Sequence, residues 1–77
     1  MKLTYDPKHN IAYIYFQKKR TQVETLHVSE ACNIDVAPDG TVYGIELLNA
    51  NKQLKLKQKG KLTVENTETG KTSNLIF

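Results

Sequence analysis

A single cysteine and two histidines stand in a chain of 77 residues. One thiol closes no internal disulfide, and small secreted domains rely on several, so Cys32 points to a reducing cytoplasm. With histidine only at His9 and His27, the usual general base is scarce. No glycine-rich phosphate loop, nucleophile elbow or paired metal motif occurs either. Long apolar runs are missing as well. No stretch approaches the ~20 residues of a membrane span. The N-terminal MKLTYDPKHN breaks at Asp6-Pro7, short of the run of roughly 7 to 15 apolar residues that a secretory signal needs. These absences lead to the expectation of a cytoplasmic protein that is not an enzyme, holds no metal or cofactor and meets no membrane.

What is present suits a small globular domain, with 39% hydrophobic and 25% charged residues. A chain of this length buries only about 60% of the surface its unfolded form exposes, so its core is thin. The net charge of +3 is unevenly spread. Residues 1–50 hold five Lys/Arg against six Asp/Glu, whereas residues 51–77 hold six Lys against two Glu. No repeat or linker divides the chain. It reads as one β domain over 1–77, with a core at 1–50 and a basic C-terminal extension at 51–77.

Period-two patterning runs through most of the sequence. KLTYD sets Leu3 and Tyr5 against Lys2 and Thr4, and DPKHN then suits a bend: Asp6 bonds forward, Pro7 presets φ and Asn10 tolerates the left-handed region. IAYIYFQ places Ala12, Ile14 and Phe16 on one face and Ile11, Tyr13 and Tyr15 on the other. Both faces are apolar enough to be covered, which predicts an interior strand. KKRT turns the chain into QVETLHV, a strand whose phase is confused by Leu26 and Val28. CNIDVA follows, with Cys32, Ile34 and Val36 inward and Asn33 and Asp35 toward water. TVYGIELL then sets Tyr43, Ile45 and Leu47 on one face.

Between those last two strands, DVAPDGTVYGIE overlaps the spacing of a calcium loop, with Asp35 first and Glu46 twelfth. Such a loop needs a ligand at its third position and flanking helices; Ala37 and two strands stand there instead. APDG reads as a turn, with Pro38 at its second position and Gly40 free to take positive φ. After Leu48, NANKQLKLKQKGK admits a short helical turn capped by Asn49 or a strand through Leu54 and Leu56, and propensity does not decide between them. KLTVENTETGKTSNLIF reads as a last hairpin, with Leu62 and Val64 before TETG and Leu75 and Phe77 after it. The expected fold is mainly β: an antiparallel meander of about five strands, the basic extension and at most one short helix.

The order KLTYDPKHNIAYIYF, then NIDVAPDGTVYGIELLNA, resembles the small prokaryotic family known as domain of unknown function 2283. The matching residues are Tyr5, Asp6, Pro7, Tyr13, Ile14, Asp35, Asp39, Gly40, Gly44, Ile45, Glu46, Leu48, Asn49 and Ala50. The resemblance departs at Glu30-Ala31, where an Asp-Gly is usual. It implies no reaction and no catalytic residue. It does imply a protein partner, because such proteins are often encoded beside small toxin-like ones, which suggests an antitoxin-like role.

Three constellations of residues could carry chemistry or binding. A site from His9, His27, Cys32 and Asp35 lacks ligand spacing, and Cys32 on an inward strand phase reads as a buried apolar thiol. Asp35 and Glu46 face each other across a hairpin, where two close carboxylates would repel, and the commoner arrangement is two solvated acids. Lys55, Lys57, Lys59 and Lys61 recur at every second residue and, in an extended chain, make a basic edge. With Tyr13 and Tyr15 as a stacking platform, that edge would suit single-stranded RNA. Edge lysines also protect against aggregation, and tyrosines are ordinary sheet residues. A sheet without a substantial helix leaves one face uncovered, so the favoured expectation is a protein-interaction module, homodimeric, that joins an apolar sheet face including Tyr13 and Tyr15 to the electrostatic rim Lys55–Lys61.

Overall fold

A computed structural model describes residues 1–18, 22–55 and 60–76. Its elements are β1 (Lys2–Asp6), β2 (Ile11–Tyr15), β3 (Glu24–Ser29), β4 (Cys32–Val36), β5 (Val42–Leu48), α1 (Ala50–Gln53), β6 (Lys61–Glu65) and β7 (Thr72–Ile76). The chain is mainly β, with a five-stranded antiparallel sheet, a separate two-stranded sheet and one helical turn. No helix among the described residues is long and apolar enough to cross a membrane.

Two of the hairpins rest on one local device. In the β1–β2 turn, Asp6 Oδ1 accepts the backbone N–H groups of Lys8 (3.0 Å) and His9 (3.3 Å), and Asn10 closes the turn at φ 56°. In the β6–β7 turn, Asn66 Oδ1 accepts those of Glu68 (3.0 Å) and Thr69 (3.3 Å), and Gly70 closes it at φ 75°. An Asx side chain four residues before a left-handed residue mimics a backbone turn and fixes the register that follows. The β4–β5 hairpin is also a turn: Gly40 N–H donates to Ala37 O at 2.9 Å, and Gly40 takes φ 90°. Asp35 and Glu46 belong to its two strands, not to a loop cage.

The strand order corrects the expected meander. It runs β1-β2-β5-β4-β3, so β2 pairs with β5 rather than with its successor β3. Burial explains the choice. β5 is the longest strand and contains two buried residues, Tyr43 and Gly44, so it takes the centre. All six residues of β3 are exposed, which suits an edge. The confused phase around Val28 is a register shift between His27 and Ser29 in the β3–β4 pairing. The open question after Leu48 resolves as helix over Ala50–Gln53, while the proposed strand positions 56–59 and the expected hairpin residue Phe77 lie outside the described residues.

The end of the sheet is held by three asparagines. Asn10 Nδ2 donates to Asn49 Oδ1 (3.2 Å) and Asn51 Oδ1 (2.9 Å), and Asn10 Oδ1 accepts the Asn51 N–H at 2.8 Å. Asn49 adopts φ 55°, and Ala50, wholly buried, donates its N–H to Asn10 O at 3.0 Å. The left-handed backbone that this corner needs is tolerated by asparagine and costs most other residues a steric penalty.

The two faces of the sheet are set by register. One row reads Leu3, Ile14, Ile45, Ile34, Leu26 across all five strands, and the next adds Tyr5, Ala12, Leu47 and Cys32. This is the apolar face. It is incompletely covered: among the described residues the buried hydrophobics are Ala12, Tyr43 and Ala50, while Leu26 is 45% and Val28 60% exposed. Cys32 lies on this face, half-buried rather than enclosed as expected. Near the β1 edge, Leu62, Leu75 and Ile76 of the C-terminal hairpin face Leu3 and Tyr5 across an open cleft of about 450 Å3.

Candidate functional site

The opposite face holds the chemistry. Its two central rows are Lys2, Tyr15, Gly44, Asp35, Thr25 and Thr4, Tyr13, Glu46, Asn33, His27, one residue from each strand in both. Tyr13 and Tyr15 therefore share a face with carboxylates. They do not belong to the hydrophobic face, because the alternation that turns Ala12 and Ile14 inward turns both tyrosines outward.

Tyr13 does not simply stand opposite its register partner Glu46. Its ring crosses over Gly44 and its hydroxyl donates to Asp35 Oδ2. Gly44 makes this possible: a Cβ there would collide with Tyr13 Cε1, and would come within 2.6 Å of the Tyr13 hydroxyl and 2.7 Å of Ile14 O. A glycine inside a strand marks such a close approach, and an aromatic ring laid over it replaces the missing packing. Asp35 Oδ1 accepts a second hydrogen bond from Thr25 Oγ1 at 2.6 Å. Burial of the phenol, and then the carboxylate it donates to, hold the Tyr13 pKa well above the ordinary tyrosine range. Tyr13 thus remains a donor at any pH near neutrality.

A second chain of bonds runs along the neighbouring row. Asn33 Nδ2 donates to Glu46 Oε1 at 2.9 Å, which leaves Asn33 Oδ1 to accept from His27 Nδ1 at 2.6 Å. Glu46 and Asp35 are thus half-buried, and each accepts from a neutral donor, rather than standing as two solvated acids.

Tyr13, Tyr15, Gln17, Asp35 and Tyr43 line a cleft of about 320 Å3. The rings of Tyr13 and Tyr15 lie 4.3 Å apart at 43°, and the Lys2 ammonium stands 4.6 Å over the Tyr15 ring. Gln17 Nε2 donates to Val42 O at 3.3 Å and so anchors the rim. The site pairs aromatic faces with a carboxylate.

Other sequence candidates are separated. His9 is in the β1–β2 turn, where its Nδ1 contacts Asp6 Oδ2 at 2.7 Å and that bond lowers the Asp6 pKa. Cys32 projects from the other side of the sheet to Asp35 and His27. Among the described residues, no group of three His, Cys, Asp or Glu is placed to hold a metal ion. Lys55 follows the helix at φ 52° and Lys61 begins β6, while Lys57 and Lys59 lie outside the described residues. The alternating lysine edge therefore does not start from an extended Lys55. Thr25, Asn33 and Gly44 were missed as site residues; the available signal was a glycine within an otherwise β-rich strand.

Residues 2–51 match the model of a family described as "Protein of unknown function (DUF2283)". No curated protein and no solved structure matches the chain. The matched segment ends within the asparagine-held corner, so it takes in the whole five-stranded sheet and leaves out the C-terminal hairpin.

Proposed function

Since this chain belongs to the DUF2283 family, whose description names no activity, we propose from its geometry that it works as a protein-interaction module, by binding rather than catalysis, with a second copy as its first partner. One observation carries this reading: the apolar face spans five strands and, among the described residues, is covered only in part, by the C-terminal hairpin near β1. The chain exposes 6285 Å2. A compact monomer of 8.8 kDa exposes about 4,800 Å2, and the excess of about 1,500 Å2 is shared between this face and the C-terminal hairpin, whose two strands are exposed along their whole length. Its radius of gyration, 14.0 Å, also exceeds the about 11.5 Å of a compact domain of this length.

Face-to-face packing about a two-fold axis would bring the row Leu3, Ile14, Ile45, Ile34 and Leu26 against its own copy. At ~25 cal/mol per Å2, about 400 Å2 of apolar surface per protomer contributes about 10 kcal/mol before the entropy of association is deducted. That is the scale of a small domain's whole stability. A small toxin-like protein is the hetero-partner that would compete for the same face, in a reducing cytoplasm where Cys32 stays a thiol. The single-stranded RNA reading gains no support, because the tyrosines it would use are flanked by Asp35 and Glu46, which repel phosphate.

Light scattering between about 1 and 100 μM tests the reading, that range spanning the affinities expected of a modest interface. A dimeric mass that reverts to monomer when Ile34 is replaced by Glu supports it. A monodisperse monomer throughout removes the second copy. Capture of a small protein from native lysate by that monomer would then assign the face to a hetero-partner, and loss of this capture in Ile34→Glu would confirm the surface used.

A further inference from the structure

We infer that, when two copies pair through the apolar face, the C-terminal hairpin β6–β7 of each docks against the β3 end of the other. This arrangement rests on the second-copy reading and goes beyond it in naming the segment that seals the β3 edge. The hairpin is amphipathic by register. Leu62 pairs with Leu75 and Val64 with Ser73 on one side, whereas Thr63 pairs with Asn74 and Glu65 with Thr72 on the other. Every residue of both strands is exposed. A two-stranded hairpin is marginal in water unless its apolar side packs against something. Among the described residues, Leu62, Leu75 and Ile76 face Leu3 and Tyr5 across the open cleft near β1, which leaves Val64 and Leu75 more than half exposed.

Area and charge name the occupant. The excess surface of about 1,500 Å2 is shared by the hairpin and the apolar face, and burying about half of it reaches the ~800 Å2 that each partner gives up in a standard interface. A second copy buries both surfaces at once, since each copy offers a hairpin and an open β3 end. Residues 61–76 hold two Lys and two Glu, so the hairpin has no net charge with which to draw a polyanion, and its attraction is apolar.

Width fixes the arrangement. Strands lie about 4.8 Å apart, so a hairpin two strands wide at the β1 end spans less than half of a five-stranded face. A second sheet laid face to face has to avoid it and therefore rests on β5, β4 and β3. With the two-fold axis along the strands, the β3 end of one copy arrives beside the hairpin of the other, and the relation is reciprocal. There Leu26 and Val28, 45% and 60% exposed, meet Val64 and Leu75. An axis across the strands would instead stack hairpin on hairpin and hold the sheets apart. The wholly exposed edge strand β3 also gains the cover that such edges need.

The test is NMR on the full chain, with isotope-labelled and unlabelled protein mixed so that contacts between copies are read separately from those within one. We expect nuclear Overhauser contacts between the methyl groups of Val64 and Leu75 in one copy and those of Leu26 and Val28 in the other. Leu75→Lys should weaken dimerisation about tenfold or more, as loss of an apolar anchor at an interface does. Thr72→Lys, on the hairpin's other side, should leave it within about twofold. Contacts between copies that join only the rows of the two sheets, or equal effects of the two lysine variants, would overturn the hairpin's role and leave the dimer standing. Hairpin-to-hairpin contacts would overturn the axis along the strands. Contacts of Val64 and Leu75 with Leu26 and Val28 inside one chain would make the hairpin a cover for its own face and overturn the docking. A monomer at every concentration would remove this arrangement together with the second copy on which it rests.

Discussion

The same five strands present two surfaces that differ in how they are finished. On one face, side chains of similar size and no polarity line up in the row Leu3, Ile14, Ile45, Ile34, Leu26 and make no directional bond. On the other, the row Lys2, Tyr15, Gly44, Asp35, Thr25 combines a cation, a ring, a gap, an acid and a hydroxyl, and its members are tied by specific contacts. The apolar face gains only by excluding water and so needs a covering layer that the chain supplies in part. The polar face satisfies much of its own bonding and can stay in solvent. One surface therefore gains from a covering layer and the other does not, which is why the proposed interaction module is placed on the apolar side.

The sharpest way to break this contrast is to place a charge on each face of neighbouring strands. Ile14→Asp puts a carboxylate in the centre of the apolar row and should cost more than about 3 kcal/mol, lowering the thermal midpoint by over about 10 °C. Thr4→Asp, exposed on the other face, should change stability by less than about 0.5 kcal/mol. Circular dichroism melts of both variants decide the matter, and similar losses in the two would erase the distinction between faces.

A second experiment asks whether the polar face is as closely packed as its geometry states. Gly44→Ala should destabilise by about 2 kcal/mol, since the added methyl meets the Tyr13 ring and Ile14 O. Adding Tyr13→Ala removes the first clash but not the second. Urea unfolding of the double variant should thus show a favourable coupling of about 1 kcal/mol, with the cost only partly recovered. Strict additivity would mean that the ring does not lie over the glycine.

Tyr13→Phe isolates the bond to Asp35 and should cost about 1.5 kcal/mol at neutral pH. Because the folded state raises the Tyr13 pKa, it holds that proton more tightly than the unfolded chain does. The resulting stability is complete below the unfolded value near 10 and declines as pH rises past it. Wild type should accordingly lose more stability than Tyr13→Phe between about pH 8 and about pH 11, a range that brackets the unfolded tyrosine value near 10. Parallel pH profiles would contradict the shift. The smallest effect belongs to Thr25→Val, which removes one bond to Asp35 from an exposed edge residue and should cost about 0.5 kcal/mol by the same unfolding measurement.

Much of this fold was legible in the chain because its causes are local. Alternation in KLTYD and IAYIY, the Asx residue in DPKHN and the glycine after Asp39 act within a few positions of themselves. The faces of Ala12 and Ile14, and of Tyr13 and Tyr15, were separated by the same rule. Less legible was what each face was for. Tyr13 and Tyr15 read as apolar because residue type says nothing of a neighbour two strands away, and Asp35 and Glu46 read as solvated for the same reason. The lysine alternation from Lys55 misled in another way: a period-two pattern presumes extended backbone, and Lys55 lies at φ 52° beyond a helical turn.

By itself, the sequence determined where most strands begin and turn and which residues of a strand share a face. Tertiary structure decided the order β1-β2-β5-β4-β3 and, with it, the meeting of Tyr13, Gly44 and Asp35. The physical reason is that alternation is a property of one strand, whereas the choice of neighbours depends on which strands lose least by being buried on both sides. Only once β5 lay between β2 and β4 could a tyrosine reach across its glycine to an acid 22 residues away in the chain.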